Sequence, residues 1–433
     1  MIASHRLFTH FLVYAFASLG LAPLSAQEKT EAPVWDTKAL FEAPEFRWLD
    51  ETSPVRSLLY SGERYRDHDT EVFAFYASPA TLDPSVKGPF PAVVLIHGGG
   101  GTAFSEWTWL WAKRGYAAIA MDLGGQRSPA PEFKPGTSEL IVPDKGHKQE
   151  SRTPLENSGP GQGHPEKFDS IGEDVSNHWP WHAVSNAVCA HSLIRSFPEV
   201  DADHTAVTGI SWGGYTTCLV ASVDSRFKAA VPVYGCGFLF EGESVQKKSI
   251  DALSEENRAK WIKRYDPSSH LGNCQIPILF VNGSHDIHYP LDSYQKSFDR
   301  VPGNTKQMRI EPRMRHSHPA GWEPQEIGLF IDSFCKGGAP LPKPGTPVVG
   351  TDGKISVTIE NSVPVASAAL HYTTATGLRS EREWKEVDAV VDGTNISAPA
   401  PPADANTWFL TITDENGAMI STTVQFSPAT KEG

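Results

Sequence analysis

Cysteine is scarce in this chain, and positive charge is outnumbered. The 433 residues hold five Cys, at 189, 218, 236, 274 and 335, and no two form a CxxC pair. Neither a zinc knuckle nor a thioredoxin-like redox pair is therefore signalled. In an exported chain one pair, for example Cys236 with Cys274, could be oxidised, but an odd count leaves at least one thiol unpaired. As small apolar side chains, most of them suit a core. With 38 Lys and Arg against 51 Asp and Glu, the formal charge is −13. No cationic excess is left to neutralise phosphates, which argues against nucleic acid as a partner. Nucleotide-binding signatures, GxGxxG or GxxxxGK[ST], are also missing.

Long apolar runs are missing except at the start. Residues 11–24 (FLVYAFASLGLAPL) follow Arg6 and precede Ser25, Ala26 and a polar run. That stretch is shorter than the ~20 residues of a membrane span. Residues 1–26 read as a secretory signal peptide, which implies a periplasmic or extracellular protein with no span once the peptide is removed. Hydrophobic residues make up 39% and charged residues 21%, with 36 Gly and 34 Pro. This is a folded, loop-rich chain, and at roughly 150 residues per domain it holds two or three domains.

From residue 91 six short apolar runs recur: PAVVLIH (91–97), AAIAMD (117–122), TAVTGI (205–210), KAAVPVY (228–234), PILFVNG (277–283) and KQMRIE (306–311). Near-continuous runs of this kind predict parallel strands covered on both faces. Helix-like segments alternate with them at 104–114, 181–196, 212–223, 254–265, 291–301 and 324–335. The alternation predicts a doubly wound α/β sheet over residues 27–340. Residues 124–180, rich in Gly, Pro, Ser and His, are too long for a crossover and read as an insertion covering the active site. KGGAPLPKPGTP (336–347) reads as a linker by composition. Beyond it short alternating runs predict a small immunoglobulin-like β-sandwich, so that 341–433 is a linker plus a second domain.

The strongest local signal is Gly209-Ile210-Ser211-Trp212-Gly213-Gly214, between an apolar run and a helix-like segment. A Ser at such a turn sits on a sharply bent backbone, and the flanking Gly are needed because a Cβ would clash there. Its hydroxyl needs a base, and the base an orienting acid. On a sheet of this kind the acid follows the Ser along the chain and the His comes last. Asp286, in the turn after PILFVNG, is the candidate acid. Two His compete for the base in Arg313-Met314-Arg315-His316-Ser317-His318: His316 stands at the expected spacing from the preceding strand, with His318 as the alternate. His97-Gly98-Gly99-Gly100-Gly101 follows the first apolar run, and the N–H groups of Gly98, Gly99 and Trp212 are candidate oxyanion donors. Gln126 and Arg127 are candidates for contact with substrate. The pairs His285/His288 and His316/His318 fall short of the three or four converging ligands that zinc requires, so no metal or cofactor is implied.

HGGGG, GISWGGY (209–215), NGSHD (282–286) and MRHSHPAGW (314–322) together resemble the α/β-hydrolase superfamily, in the branch shared by prolyl oligopeptidase-type peptidases and acetyl xylan esterases. The likeness covers about residues 85–340. It implies a mostly parallel sheet of about eight strands with helices on both faces, and a triad of Ser211, His316 and Asp286. DLGGQR (122–127) is similar to a loop of the esterases, whereas Gly214 and Tyr215 look more like the peptidases. The resemblance implies an exported serine hydrolase acting on small-molecule or polysaccharide esters. The alternatives are a serine peptidase, and an inactive binding protein on a hydrolase fold. The roughly 55 residues before Val55 are too few for the β-propeller of the peptidases.

Overall fold

Three antiparallel strands come first: β1 (Phe46–Asp50), β2 (Arg56–Ser61) and β3 (Glu71–Ala77). Each of the six apolar runs then forms a strand: β4 (Phe90–Ile96), β5 (Ala117–Met121), β6 (Val200–Ile210), β7 (Ala229–Val233), β8 (Ile278–Gly283) and β9 (Lys306–Glu311). The order across the sheet is β1-β2-β3-β5-β4-β6-β7-β8-β9. The six strands from β5 to β9 are mutually parallel, and β3 joins β5 antiparallel. The expected sheet of about eight mostly parallel strands is present, and C-terminal strands extend it to 14 in all. The structure is a computed structural model that describes residues 1, 34–142 and 151–427; the signal-peptide reading of 1–26 falls almost wholly outside the described residues. The chain divides between Pro33 and Val34, and Val34–Gly433 is one unit.

The helix-like segments form α1 (Ser105–Lys113), α2 (Trp179–Arg195), α3 (Trp212–Val223), α4 (Glu255–Tyr265), α5 (Leu291–Arg300) and α6 (Gln325–Cys335). Every residue of β5, β7 and β8 is buried. A strand can bury all its side chains only when both faces of its sheet are covered, which is why these runs lack polar alternation. The loop after α1 is anchored to α6, where Asp332 accepts from the Arg114 guanidinium at 2.7 Å and from the Tyr116 hydroxyl at 2.7 Å. All five Cys are buried free thiols, so the sulfurs of Cys236 and Cys274 are not joined.

The C-terminal region is antiparallel: β10 (Lys354–Glu360), β11 (Val365–Thr373), β12 (Lys385–Asp388), β13 (Asn395–Pro399), β14 (Thr407–Asp414) and β15 (Met419–Ser421). Strand β10 alternates strictly, with Ile355, Val357 and Ile359 inward and its other residues exposed. Those three pack with Leu370, Trp408, Leu410 and Ile412 between two sheets. The stretch that reads as a linker is not slack, because Lys343–Pro344 pairs with β10.

Nor does this region stand apart from the main sheet. Strand β15 pairs with β9 at Ser421 and Met308. The Ser421 hydroxyl accepts from Ile310 N–H at 3.0 Å and donates to the Met308 carbonyl at 3.1 Å. Buried Glu326 accepts from Arg309 Nε at 2.8 Å and from Met419 N–H at 2.7 Å. Phe409, Ala418, Ile420 and Val424 belong to the core of the parallel sheet. Fully burying side chains of this size contributes about 1.5–3 kcal/mol each, and a chain without them would expose the β9 edge. A chain ending at residue 340 is therefore expected to be insoluble or to melt well below the full chain. Thermal denaturation of both, read by circular dichroism, checks this; equal melting temperatures would show an independent domain instead.

Candidate active site

Strand β6 ends at Ile210 and α3 begins at Trp212, so one residue makes the turn. Ser211 has φ 59° and ψ −117°, in the left-handed half of backbone space where a side chain costs on the order of 1–3 kcal/mol. The neighbouring strands hold it there. Ser211 N–H donates to the Val233 carbonyl at 2.8 Å. A Cβ on Gly213 would lie 2.0 Å from the Ile96 oxygen, and one on Gly209 2.3 Å from the Gly213 oxygen. Only glycine permits these approaches.

Strands β8 and β9 end at the same edge of the sheet. The turn after β8 presents Asp286, whose Oδ1 accepts from the N–H groups of His288 at 2.7 Å and Tyr289 at 2.9 Å. Its Oδ2 lies 2.6 Å from His316 Nδ1, and His316 Nε2 lies 2.9 Å from Ser211 Oγ. An ionised carboxylate can only accept, so Nδ1 carries the proton and Nε2 faces the Ser hydroxyl as acceptor. The side chain of Asp286 is 2% exposed and that of His316 24%. Tyr234 stacks on the His316 ring with centroids 4.5 Å apart, and the His288 ring stands 4.6 Å away.

His318 does not share this geometry. Its Nε2 accepts from Gly98 N–H at 3.0 Å, and its ring packs against Phe104 at 4.8 Å. It is not placed as the base, because its acceptor nitrogen is already engaged. By the same bond the Gly98 N–H is not available to an oxyanion. On its other side the Gly98 carbonyl accepts from His97 Nδ1–H at 2.7 Å, since His97 Nε2 takes the N–H of Leu123 at 2.8 Å. The peptide unit is planar and trans, so Gly99 N–H points opposite to the Gly98 carbonyl, away from His97. Trp212, the first residue of α3, has an N–H with no intrahelical acceptor. Gly99 and Trp212 remain as candidate donors. Gln126 and Arg127 pair with Thr153–Pro154 in a short ribbon, and neither side chain hydrogen-bonds to Ser211, His316 or Asp286.

The insertion closes over this loop. Arg152 Nη1 donates to the carbonyls of Gly100 and Gly101 at 2.9 and 2.7 Å, and Gln162 Oε1 accepts from Gly100 N–H at 3.3 Å. Phe168 and Trp179 pack on the Trp212 indole. Sequence reasoning missed Tyr234 and Arg152, and weighed His288 only as a metal ligand. Tyr234 could have been found, since it stands at the carboxyl end of β7, where site residues of such sheets collect.

Residues 60–272 match the family model described as acetyl xylan esterase, and residues 233–382 the model described as PhoPQ-activated pathogenicity-related protein. The first takes in the glycine loop and Ser211, just under half of the chain; the second takes in Asp286 and His316. The acetyl xylan esterase of Paenibacillus sp. R4 superposes with a TM-score of 0.51 at 20% identity, over 69% of this chain and 92% of its own. The chain has the α/β-hydrolase fold. Among curated proteins the chain is 23% identical to an uncharacterized peptidase, YuxL, of Bacillus subtilis over 53% of this chain, and 23% identical to a probable dipeptidyl-peptidase 5 of Aspergillus clavatus over 51% of it. It spans 31% and 27% of those two proteins, under a third of each. The proteins it resembles thus carry both esterase and peptidase names.

Burial holds His97 near pKa about 4 and His318 near about 3, against an ordinary imidazole value of 6.5. Buried His178, His182 and His191 are each held near about 4. Below 6.5 the unfolded chain binds protons that these folded imidazoles refuse. Their contribution to stability is complete above about pH 6.5 and is lost as pH falls toward 3–4. The melting temperature is expected to drop steadily between pH 7 and pH 4.5 in a buffer series; a flat profile would contradict this account.

Proposed function

We propose that this hydrolase is an exported serine esterase that cleaves carboxylic esters, acetyl esters of polysaccharide among them, through an acyl-enzyme on Ser211. The observation that carries the reading is the relay of 2.9 Å from Ser211 Oγ to His316 and 2.6 Å from His316 to Asp286. Ser211 attacks the ester carbonyl while His316 Nε2 takes its proton. Asp286 fixes the imidazole tautomer and stabilises the imidazolium. The N–H groups of Gly99 and Trp212 receive the oxyanion, aided by the N-terminus of α3. His316 then protonates the leaving alcohol, and water, activated by the same imidazole, releases the acid and restores Ser211.

The match to the acetyl xylan esterase model supports an ester substrate. A peptidase is the second reading, favoured by the two curated relatives with peptidase names. Turnover of 4-nitrophenyl acetate and acetylated xylan is expected to exceed that of Xaa-Pro anilides. Ser211→Ala is expected to lower kcat on the esters by at least about 10⁴-fold and to abolish labelling by a fluorophosphonate. Unchanged ester turnover in that variant removes the mechanism, and preferred anilide cleavage selects the peptidase.

Because His318 and His97 grip the two sides of Gly98, they set where Gly99 N–H points. His318→Leu is expected to lower kcat by about 10²-fold with little change in KM, the size of a lost oxyanion donor. His318→Gln, whose Oε1 can still accept from Gly98, is expected to retain most of it. Steady-state kinetics of the pair checks this; equal losses in both would deny the link.

A further inference from the structure

Lys167 is a cation with no ion-pair partner among the described residues, in a protein of net charge −13. Its Nζ lies 4.6 Å from the centroid of the Trp212 indole and 5.0 Å from that of Trp179, two rings set edge to face at 5.6 Å. Trp212 directly follows Ser211, and its Cδ1 would be 2.9 Å from a Cβ on Gly99. The indole that holds the ammonium is therefore a wall of the oxyanion loop. Among the described residues no carboxylate pairs with Lys167 and no acceptor binds its Nζ. The carboxylate of the adjacent Glu166 is folded back over Gly163, where a Cβ would lie 2.3 Å from it.

This position is built. The Lys167 carbonyl accepts from Trp261 Nε1 at 2.8 Å, its N–H donates to Gly163 at 3.2 Å, and Phe168 stacks on Trp261 at 5.4 Å. Two aromatic faces stabilise an ammonium but do not neutralise it. Burial pulls its pKa down to about 8, with Glu166 opposing the shift. A half-desolvated cation gains most from an anion that arrives with a ligand.

We propose that Lys167 is an anion-binding residue beside Ser211 and the glycine loop and receives a carboxylate carried by the ester substrate. The carboxylate belongs either to the alcohol side, as in a uronic acid, or to the acyl side, as in the hemiester of a dicarboxylic acid. The proposal rests on Ser211 being the nucleophile, since that fixes where the ester must sit relative to Lys167.

Two matched pairs of esters test it: an acetylated methyl glucopyranoside with and without a C6 carboxylate, and 4-nitrophenyl hemisuccinate against 4-nitrophenyl butyrate. Wild type is expected to favour the acidic member of one pair by at least about tenfold in kcat/KM, as for a charged hydrogen bond. The responding pair identifies the side of the ester. Lys167→Met, which keeps the stem between the indoles, is expected to bring that ratio to about one, and Lys167→Arg to keep part of it. A neutral preference in both pairs, or a preference that survives Lys167→Met, overturns the proposal. Calorimetric titration of Ser211→Ala protein with glucuronate and with succinate, each with and without Lys167→Met, makes the same comparison without turnover. Binding that does not depend on Lys167 overturns the proposal, whereas ester turnover or fluorophosphonate labelling that survives Ser211→Ala counts against the Ser211 mechanism alone.

Discussion

The site depends on how closely three pieces of backbone approach one another beneath Ser211. The first turn of α3 passes the end of β4 at Gly213 and the end of β7 at Gly214, and Gly235 presses on Gly214 from the other side. None of these positions has room for a Cβ. The squeeze forces a one-residue turn between β6 and α3, and that turn drives Ser211 to positive φ. A wider turn would let the hydroxyl sink toward the sheet. Parallel strands all end on one edge, so the loops after β8 and β9 deliver Asp286 and His316 to where the bend has raised the Ser.

A second constraint acts on the oxyanion loop. Glycines 98–101 have little of their own to hold them. The surroundings do so, through His97 beneath, His318 across, and Arg152 and Gln162 above. His316 and His318 leave the same loop in different directions, one to the nucleophile and one to the glycines. That loop therefore couples the proposed base to the proposed oxyanion donor. His97 is buried and His318 half-buried, and desolvation keeps both neutral, so each can accept an N–H bond.

The C-terminal sheets extend this framework. Their strands continue the main sheet through β15, and Glu326 ties α6, β9 and β15 at one point. Arg382 reaches still nearer the site, its carbonyl lying 2.8 Å from His285 Nε2 in the turn that carries Asp286. Composition made residues 336–347 look like slack because Pro and Gly are common in linkers. The same residues can pair as a short edge strand where Pro lacks no needed donor.

Much of the fold was legible in the sequence. A fully buried strand must be apolar on both faces, and that signature marked β4 to β9 without any structure. The Gly pattern around Ser211 was equally readable, because close backbone approach leaves no other residue. Asp286 and His316 followed from chain order and strand ends. What the sequence could not decide was which way each loop side chain turns. His316 and His318 are two residues apart, and Gly98 and Gly99 are neighbours, with the same chemistry in each pair. Their roles diverge because residues distant in sequence claim one member first: Gly98 takes His318, His97 takes the Gly98 carbonyl, and Asp286 takes His316. The amino-acid sequence by itself determined the strands, the elbow and the set of reactive groups, since these follow from local sterics and burial. Only the tertiary structure assigned the groups to one another, because hydrogen bonds between distant loops are settled by where the packed sheet brings them.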